Sequence, residues 1–420
     1  MTRAMKDSGI EWIGEIPKDW KLPKVKQLFS IGRGRVISQL DLEDTGYPVY
    51  SSQTKNNGCL GYISTYDFDR SQLTWTTDGA NAGTVFLREG KHNCTNVCGT
   101  LTPKNDENSL LYLKYALEYI VIYHKRADIN GFKIMNNEMA EIKVTLPSMP
   151  EQQKIADFLD EKCSHIDSVL EKVRASIDEY KQLKQSVITQ AVTKGIRPNR
   201  PMKDSGNKYY GEIPNNWYIC KTLYCLSMPI TDGPHSTPEL FDTGIPFVSA
   251  EAVSCGNGSI DFNHIRGYIS QEFYDECCLK YIPQINDVYM IKSGATTGKV
   301  SIVDTDRIFT IWSPLAVFRC NEKKTLPKFM YYAIQSDQYQ KQIALNWSFG
   351  TQQNIGMRVL ESLKICVPSL DEQQEIVSYL DDKCSEIDKL ITKKEQLIAE
   401  LETYKKSLIY EYVTGKKEVI

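Results

Sequence analysis

Residues 147–195 and 368–416 carry nearly the same text at a constant offset of 221 residues, without a gap. Glu151, Gln152, Gln153, Ile155, Leu159, Cys163, Ile166 and Asp167 return as Glu372, Gln373, Gln374, Ile376, Leu380, Cys384, Ile387 and Asp388. A repeat of this length dictates architecture before any local reading begins. Leu159, Ile166, Val173, Tyr180 and Val187 recur every seven residues, with Cys163, Leu170, Ile177 and Ala191 offset by four and Lys184 as the one break. In the second copy Leu380, Ile387, Leu401 and Leu408 share the stripe with Cys384, Ile391, Ile398 and Tyr412, interrupted by Lys394 and Lys405. Apolar residues at this spacing lie on one face of a helix. From Glu151 and from Glu372 onward neither copy contains Pro or Gly before Gly195 or Gly415, a residue that commonly stops helices. Two such helices in one chain cover each other's stripes as a coiled coil.

The opening MKDSGIEWIGEIPKDW (Met5–Trp20) also returns, as MKDSGNKYYGEIPNNW (Met202–Trp217), but at an offset of 197. The stretch between opener and helix is therefore 24 residues longer in the second half. Matching ends around unequal middles imply shared scaffolding with different contents. The boundaries expected are 1–145, 146–195 (long helix), 196–366 and 367–420 (long helix).

The middles read as short strands and turns. Tyr47–Tyr50, Leu73–Thr77 and Val85–Leu87 in the first half correspond in style to Ile245–Val248, Asp287–Ile291 and Val300–Ile302 in the second. A Gly-Ala-x-x-Gly-x-Val frame begins at Gly79 and again at Gly294. One helix is expected from Leu110 and one from Lys328 through Ala344. Polar loops are expected at Ala127–Glu138 and Trp347–Gly356. The fold class expected is α+β, with two α/β domains of twisted, mainly antiparallel sheets and helices, separated by two long antiparallel coiled-coil helices in a pseudo-twofold repeat.

Net charge is only −3, which does not mark a simple basic nucleic-acid binder. Residues 1–145 and 196–366 each sum to +1, and the two repeat segments together to −5, so any nucleic-acid surface must be a local face of the middles. No apolar run reaches membrane-spanning length, and MTRAMKDSGIEW lacks a signal-peptide core, so a cytoplasmic location is expected. Twelve cysteines there would be mostly reduced. His92, Cys94 and Cys98 lie close together, but without a Cys-x-x-Cys pair they are not read as a zinc set. Gly294–Lys299 superficially suggests a phosphate loop. It is one residue short, and Val300 stands where a magnesium-binding hydroxyl belongs, so a tight strand-connecting turn is expected instead. No methyltransferase, hydrolase or metalloprotease motif is present. Asp275–Lys280 is a poor match to a nuclease cluster and reads as a surface turn.

The paired Pro-x-x-x-Glu-Gln-Gln-x-Ile helices, the paired Lys-Asp-Ser-Gly and Gly-Glu-Ile-Pro-x-x-Trp openers and the two Gly-Ala frames resemble the specificity subunits of type I restriction-modification systems, over essentially the whole chain. The resemblance implies two target-recognition domains, each reading half of a split DNA site. It implies a helix pair that acts as a ruler and docks two methyltransferase subunits, with restriction subunits joining. It places no catalysis and no cofactor in this chain: S-adenosylmethionine comes with the methyltransferase subunits, and ATP with Mg2+ comes with the restriction subunits. A methylation-only assembly without nuclease, a coiled-coil protein-interaction scaffold, and an enzyme with an unrecognised site in the longer second half are the alternatives.

Polar loop residues beside strands are the candidates for double-stranded DNA, because amides suit adenine edges, basic groups suit guanine or phosphate, and hydroxyls suit either. In the first half these are Ser51, Gln53, Lys55, Asn56, Asn57, Asn81, Asn130 and Lys133. In the second they are His235, Ser236, Thr237, Glu251, Lys292, Thr296, Thr297, Lys299, Gln352, Gln353 and Asn354. Glu151, Gln152, Gln153, Glu372, Gln373 and Gln374 begin the long helices, where they serve either as N-terminal caps or as a docking point for methyltransferase subunits.

Overall fold

In the computed structural model the described residues are 3–129, 131–347 and 353–419. The repeated text forms two unbroken helices, Met149–Lys194 and Leu370–Val413. Each stops at a glycine in the left-handed region, Gly195 at φ +79° and Gly415 at φ +69°, where a side chain would be strained. The chain forms two compact units. The first comprises the residues up to Arg174 together with those from Glu395 onward, and the second is Ala175–Lys394. Each unit thus takes a portion of both long helices. Among the described residues no helix is long and apolar enough to cross a membrane.

The first unit is built on a four-stranded antiparallel sheet in the order Phe29–Arg33, Cys98–Pro103, Gln72–Thr76, Val85–Arg88. A second sheet orders Cys59–Ile63, Tyr47–Tyr50, Lys91–Cys94 and Phe68–Asp69, with one parallel pair, between Tyr47–Tyr50 and Lys91–Cys94. Helix Leu110–Ile120 is N-capped by Ser109 and buries Leu113, Ala116, Leu117 and Ile120 in the core. Leu159, Cys163, Ile166 and Leu170 of the first long helix join that core, as do Leu408, Ile409 and Val413 of the second.

The second unit has an antiparallel sheet in the order Thr231–Asp232, Leu315–Phe318, Val288–Ile291, Val300–Ile302. Its two central strands are buried on both faces. Val288, Met290, Ala316 and Phe318 enter one core, and Tyr289, Ile291, Leu315 and Val317 another. Two-sided burial is why these strands read as continuous apolar runs rather than alternating ones. Helix Ala250–Cys255, in the longer half, supplies Ala252 and Val253 to the second core. Ile188, Ala191, Val192, Leu380 and Cys384 of the long helices join the first.

The two openers fold alike. Met5–Asp7 pairs with Glu15–Pro17, and Met202–Asp204 with Glu212–Pro214, in the same antiparallel register. Three expectations fail. The single helix expected from Lys328 is two, Pro327–Gln335 and Asp337–Leu345. Ser336 separates them at ψ 148°, and its hydroxyl accepts from Tyr339 N, a serine N-cap that competes with continuing the helix. Of the polar loop expected at Ala127–Glu138, Arg126–Asp128 and Gly131–Lys133 form a hairpin and Asn136–Glu141 a short helix. The hairpin exists because the backbone of Asp78–Gly79 offers it a third strand. Asp275–Cys278 lies not in a turn but in helix Gln271–Cys278, capped by Ser270.

Candidate nucleic-acid interface

Each Glu-Gln-Gln motif fastens its helix to the rest of its unit. In the second unit Glu372 is 2% exposed. It accepts hydrogen bonds from Arg200, from Trp217 Nε1 at 2.9 Å and from Asn216 at 3.3 Å. In the first, Glu151 accepts from Arg3 and from Trp20 Nε1 at 3.1 Å. Burial alone would raise the Glu372 pKa, but the donors outweigh it and hold the carboxyl below its ordinary range. Gln152 and Gln373 are buried. The Gln152 carbonyl accepts from Ser109 N at 2.9 Å and its amide donates to Pro147 O; Gln373 does the same with Leu326 N at 2.8 Å and Pro368 O. Their polar groups are therefore spent inside the chain. Gln153 and Gln374 face outward, donating only to Asp157 and Ser378 one turn on.

Two of the three lysines that interrupt the apolar stripes are paired with carboxylates, and Lys394 lies over the Tyr180 ring. Lys184 binds Asp388 at 2.7 Å in the second unit, and Lys405 binds Asp167 at 2.7 Å in the first. These two pairs are related by the 221-residue repeat. A second contact in opposite sequence order, Arg174 with Glu402 in the first unit and Tyr180 with Lys394 in the second, shows the helices antiparallel within each unit.

The two Gly-Ala frames are the same turn. Gly79, Gly83, Gly294 and Gly298 all have positive φ, between 88° and 101°. Gly83 N donates to Thr76 O, and Gly298 N to Ile291 O, both at 2.8 Å; Ala82 N to Gly79 O and Thr297 N to Gly294 O are both 3.2 Å. The second turn joins strands Val288–Ile291 and Val300–Ile302, as its sequence predicted.

Around each turn the candidate loops gather. In the first unit Asn81 Nδ2 donates to Thr54 Oγ1 at 3.3 Å, drawing loop 51–58 to the turn. Phe132 and Lys133 pair in register with Gly79 and Asp78, bringing the hairpin to its other side. Lys133 also lies 3.6 Å from Asp128. Lys55, Asn56 and Asn57 are exposed, the two asparagines at φ 49° and 52°. Ser51 accepts from Thr95 Oγ1 at 3.1 Å, and Gln53 donates to Cys59 O. Asn130 lies outside the described residues.

In the second unit Gly294 N donates to Gln353 O at 3.0 Å, and Ser293 bridges Asn354. Gln352 lies outside the described residues. Thr297 Oγ1 donates to Gly294 O, Thr296 is half-buried, and the exposed Lys299 reaches Ser254 O at 3.5 Å. Ser236 and Thr237 are exposed, as is Glu251, which accepts from Ser249 Oγ. Lys292 is buried, its ammonium 3.3 Å from Asp232. His235 approaches the same carboxylate at 3.1 Å, and Lys280 joins them. Asp232 is fully buried, so one carboxylate ties loop 233–237 to the strand end that leads into the Gly294 turn.

Sequence reasoning passed over Asp232 and Arg88, and placed Lys280 only in a surface turn. Asp232 sits in turn text, Thr-Asp-Gly-Pro-His, yet it pairs with Ala316 in a sheet and is buried. Arg88 ends a strand, and nothing in its neighbours announces that it is 1% exposed. His92, for its part, bonds Gln72 Nε2 at 2.9 Å and Gly90 O at 2.8 Å.

Known proteins match this architecture. The family described as type I restriction modification DNA specificity domain matches residues 17–177 and 234–403, one segment per repeat. A putative type I specificity subunit of Mycoplasma pneumoniae is 27% identical over 378 residues, covering 85% of this chain and 87% of its own. Another from the same organism, described as an N-terminus, is 44% identical over 142 residues, 33% of this chain and 76% of its own. A putative specificity subunit of Methanocaldococcus jannaschii is 25% identical over 412 residues, covering 91% and 90%. A solved structure from work on assembly and conformational transition of a type I restriction-modification system shares the fold, with a TM-score of 0.67 at 16% identity over 96% of this chain and 99% of that one. With both repeats matched and the fold shared end to end, the chain belongs to the type I restriction-modification DNA specificity family.

Proposed function

We propose that this chain reads a bipartite, asymmetric site on double-stranded DNA, one half-site per unit, without catalysis of its own. It docks two methyltransferase subunits, which bring S-adenosylmethionine and methylate adenine in a flipped-out base. Restriction subunits join with ATP and Mg2+ to cut unmodified DNA in the cytoplasm. The observation that carries the reading is the combination of identical frames with unlike contents. The arginine and tryptophan bonds of the helix clasp and the backbone bonds of the glycine turn recur in both units, whereas the loops beside them differ in sequence, length and partners. A duplicated frame gives the half-sites a common geometry, and different loops give them different base preferences. Weak net charge suits a reader whose partner subunits supply much of the grip on phosphate. Both long helices are continuous, which suits a ruler for the spacer between half-sites.

The test is to exchange residues 20–145 for those of another family member and map methylated positions in cells carrying the assembled system. One half-site changes and the other stays. A change in both, or in neither, overturns modular reading. Inserting one or two helical turns between Asp167 and Lys181 lengthens the spacer; an unaltered spacer removes the ruler.

A further inference from the structure

Beneath loop 51–58 lies a cation that has no counter-charge among the described residues. The Arg88 guanidinium carbon sits 3.6 Å from the centre of the Tyr50 ring and 4.3 Å from that of Phe86. Its Nε donates to Thr74 Oγ1 at 3.1 Å and its Nη1 to the Asn57 carbonyl at 2.7 Å. Nη2 meets no geometric hydrogen-bond acceptor, the Tyr50 side chain being the polar group beside the guanidinium, and among the described residues no carboxylate pairs with Arg88. Burial lowers its basicity, and the groups that partly offset this are Tyr50, Cys98 and Cys94, none of them a carboxylate. A buried, uncompensated charge costs stability. A methionine would fill the same space against two rings at no such cost.

The cover over this group is thin and conformationally special. Asn56, Asn57 and Gly58 run consecutively at φ 49°, 52° and 79°. A Cβ on Gly58 would lie 2.8 Å from Nη2, and at this positive φ a side chain would be strained. The outer side of the cover, Lys55 to Asn57, is exposed, and it belongs to the loop that Asn81 draws to the glycine turn. Aromatic contact occupies the face of the guanidinium and leaves its edge. An edge with free N–H groups matches a coplanar pair of acceptors such as the O6 and N7 of guanine.

We propose that Arg88 is a base-reading residue of the first unit: when DNA lifts loop 51–58, its guanidinium edge recognises a guanine in that unit's half-site. The proposal rests on the DNA reading above and assigns it a specific side chain. Lifting the loop would break the bonds from Asn81 to Thr54 and from Arg88 to the Asn57 carbonyl, which contacts to DNA would replace.

The experiment selects a fully randomised duplex library on the full chain, co-expressed with the methyltransferase subunit of its system, as wild type, Arg88→Lys and Arg88→Met. The wild type enriches a split motif with a guanine in the first unit's half-site. Both variants lose preference for that guanine by roughly 10- to 100-fold and keep the second unit's half-site, which reports folding within the same molecule. Arg88→Met melts no lower than wild type. No enrichment by the wild type sinks the DNA reading itself. An enriched motif that lacks guanine in that half-site, or is unchanged in the variants, overturns the proposal alone. So does a uniform loss across all positions, which is the mark of a phosphate contact. Loss of both half-sites with collapse of folding in both variants makes Arg88 a structural staple and overturns it equally.

Discussion

Trp217 donates its indole N–H to Glu372 at 2.9 Å, joining the last residue of the repeated opener to the glutamate of the Glu-Gln-Gln motif. The same bond recurs between Trp20 and Glu151 at 3.1 Å. The glycine that ends the opposite helix closes each clasp: a Cβ on Gly195 would stand 3.3 Å from the Trp217 ring, and one on Gly415 would stand 3.2 Å from the Trp20 ring. Opener, helix start and helix stop are thus one piece of structure written in three separated places.

Glu372→Gln replaces one of two accepting carboxylate oxygens by an NH2 group that cannot accept and leaves Arg200 without its counter-charge. A cost of about 3 kcal/mol is expected, read as a lower midpoint in chemical denaturation. Glu151→Gln costs less, because the Glu151 side chain is 25% exposed against 3% for Glu372. Equal losses would mean that burial does not govern the clasp. The acid dependence follows from the same group. Folding holds the Glu372 pKa below the ordinary 4.5, so its contribution is complete above that value and drains away as pH falls through the folded one. Glu372→Gln therefore flattens the loss of stability below about pH 4.5.

Asp388→Lys places two ammonium groups together where Lys184 now meets a carboxylate. Both side chains are partly exposed, so the loss is about 1 kcal/mol. The exchanged pair Lys184→Asp with Asp388→Lys recovers most of it. Urea unfolding of the three variants checks the coupling, and failure of the double variant to recover would show that the pair does not set helix register.

Asp232→Asn leaves Lys292 buried and unpaired and loosens His235 and Lys280. A destabilisation of about 3 kcal/mol is expected in the second unit, measured by hydrogen exchange of strand Leu315–Phe318 against the unaffected first unit. Uniform protection in both units would refute the hub.

Lys299→Ala leaves the turn backbone in place and removes an exposed cation beside it. Binding weakens across all sequences, and the slope of log K against log salt becomes shallower by about 1. Loss confined to one base position would instead make Lys299 a reader.

Much of the frame was legible because its causes are local. Heptad spacing and the absence of Gly and Pro specify the long helices, and a left-handed glycine ends each. The paired Gly-Ala frames mark one turn used twice, since only glycine takes its four positive φ angles without strain. Ser336 was also readable in principle: a serine three residues before Tyr339 is an N-cap, yet apolar periodicity on both sides masked it. The hairpin at Arg126–Lys133 was not readable, because its third strand comes from Asp78–Gly79, far away in sequence.

The candidate site divides the same way. Asn56, Asn57 and Lys299 were visible as polar turn residues. Lys184 and Lys405 showed only as faults in a stripe, since their partners Asp388 and Asp167 lie more than two hundred residues away. Gln152 and Gln373 looked like surface polar residues at helix starts, yet each is buried and satisfied by backbone from a distant segment.

By itself the sequence determined that a chain of this kind carries two copies of one frame around two unlike middles, because repeats, helical periodicity and glycine positions act through neighbours along the backbone. Tertiary structure alone decided which polar groups meet: the tryptophan on its glutamate, Asp232 among its cations, and Arg88 under its loop. Burial makes each of those meetings consequential, and burial depends on what packs against a residue from elsewhere in the chain.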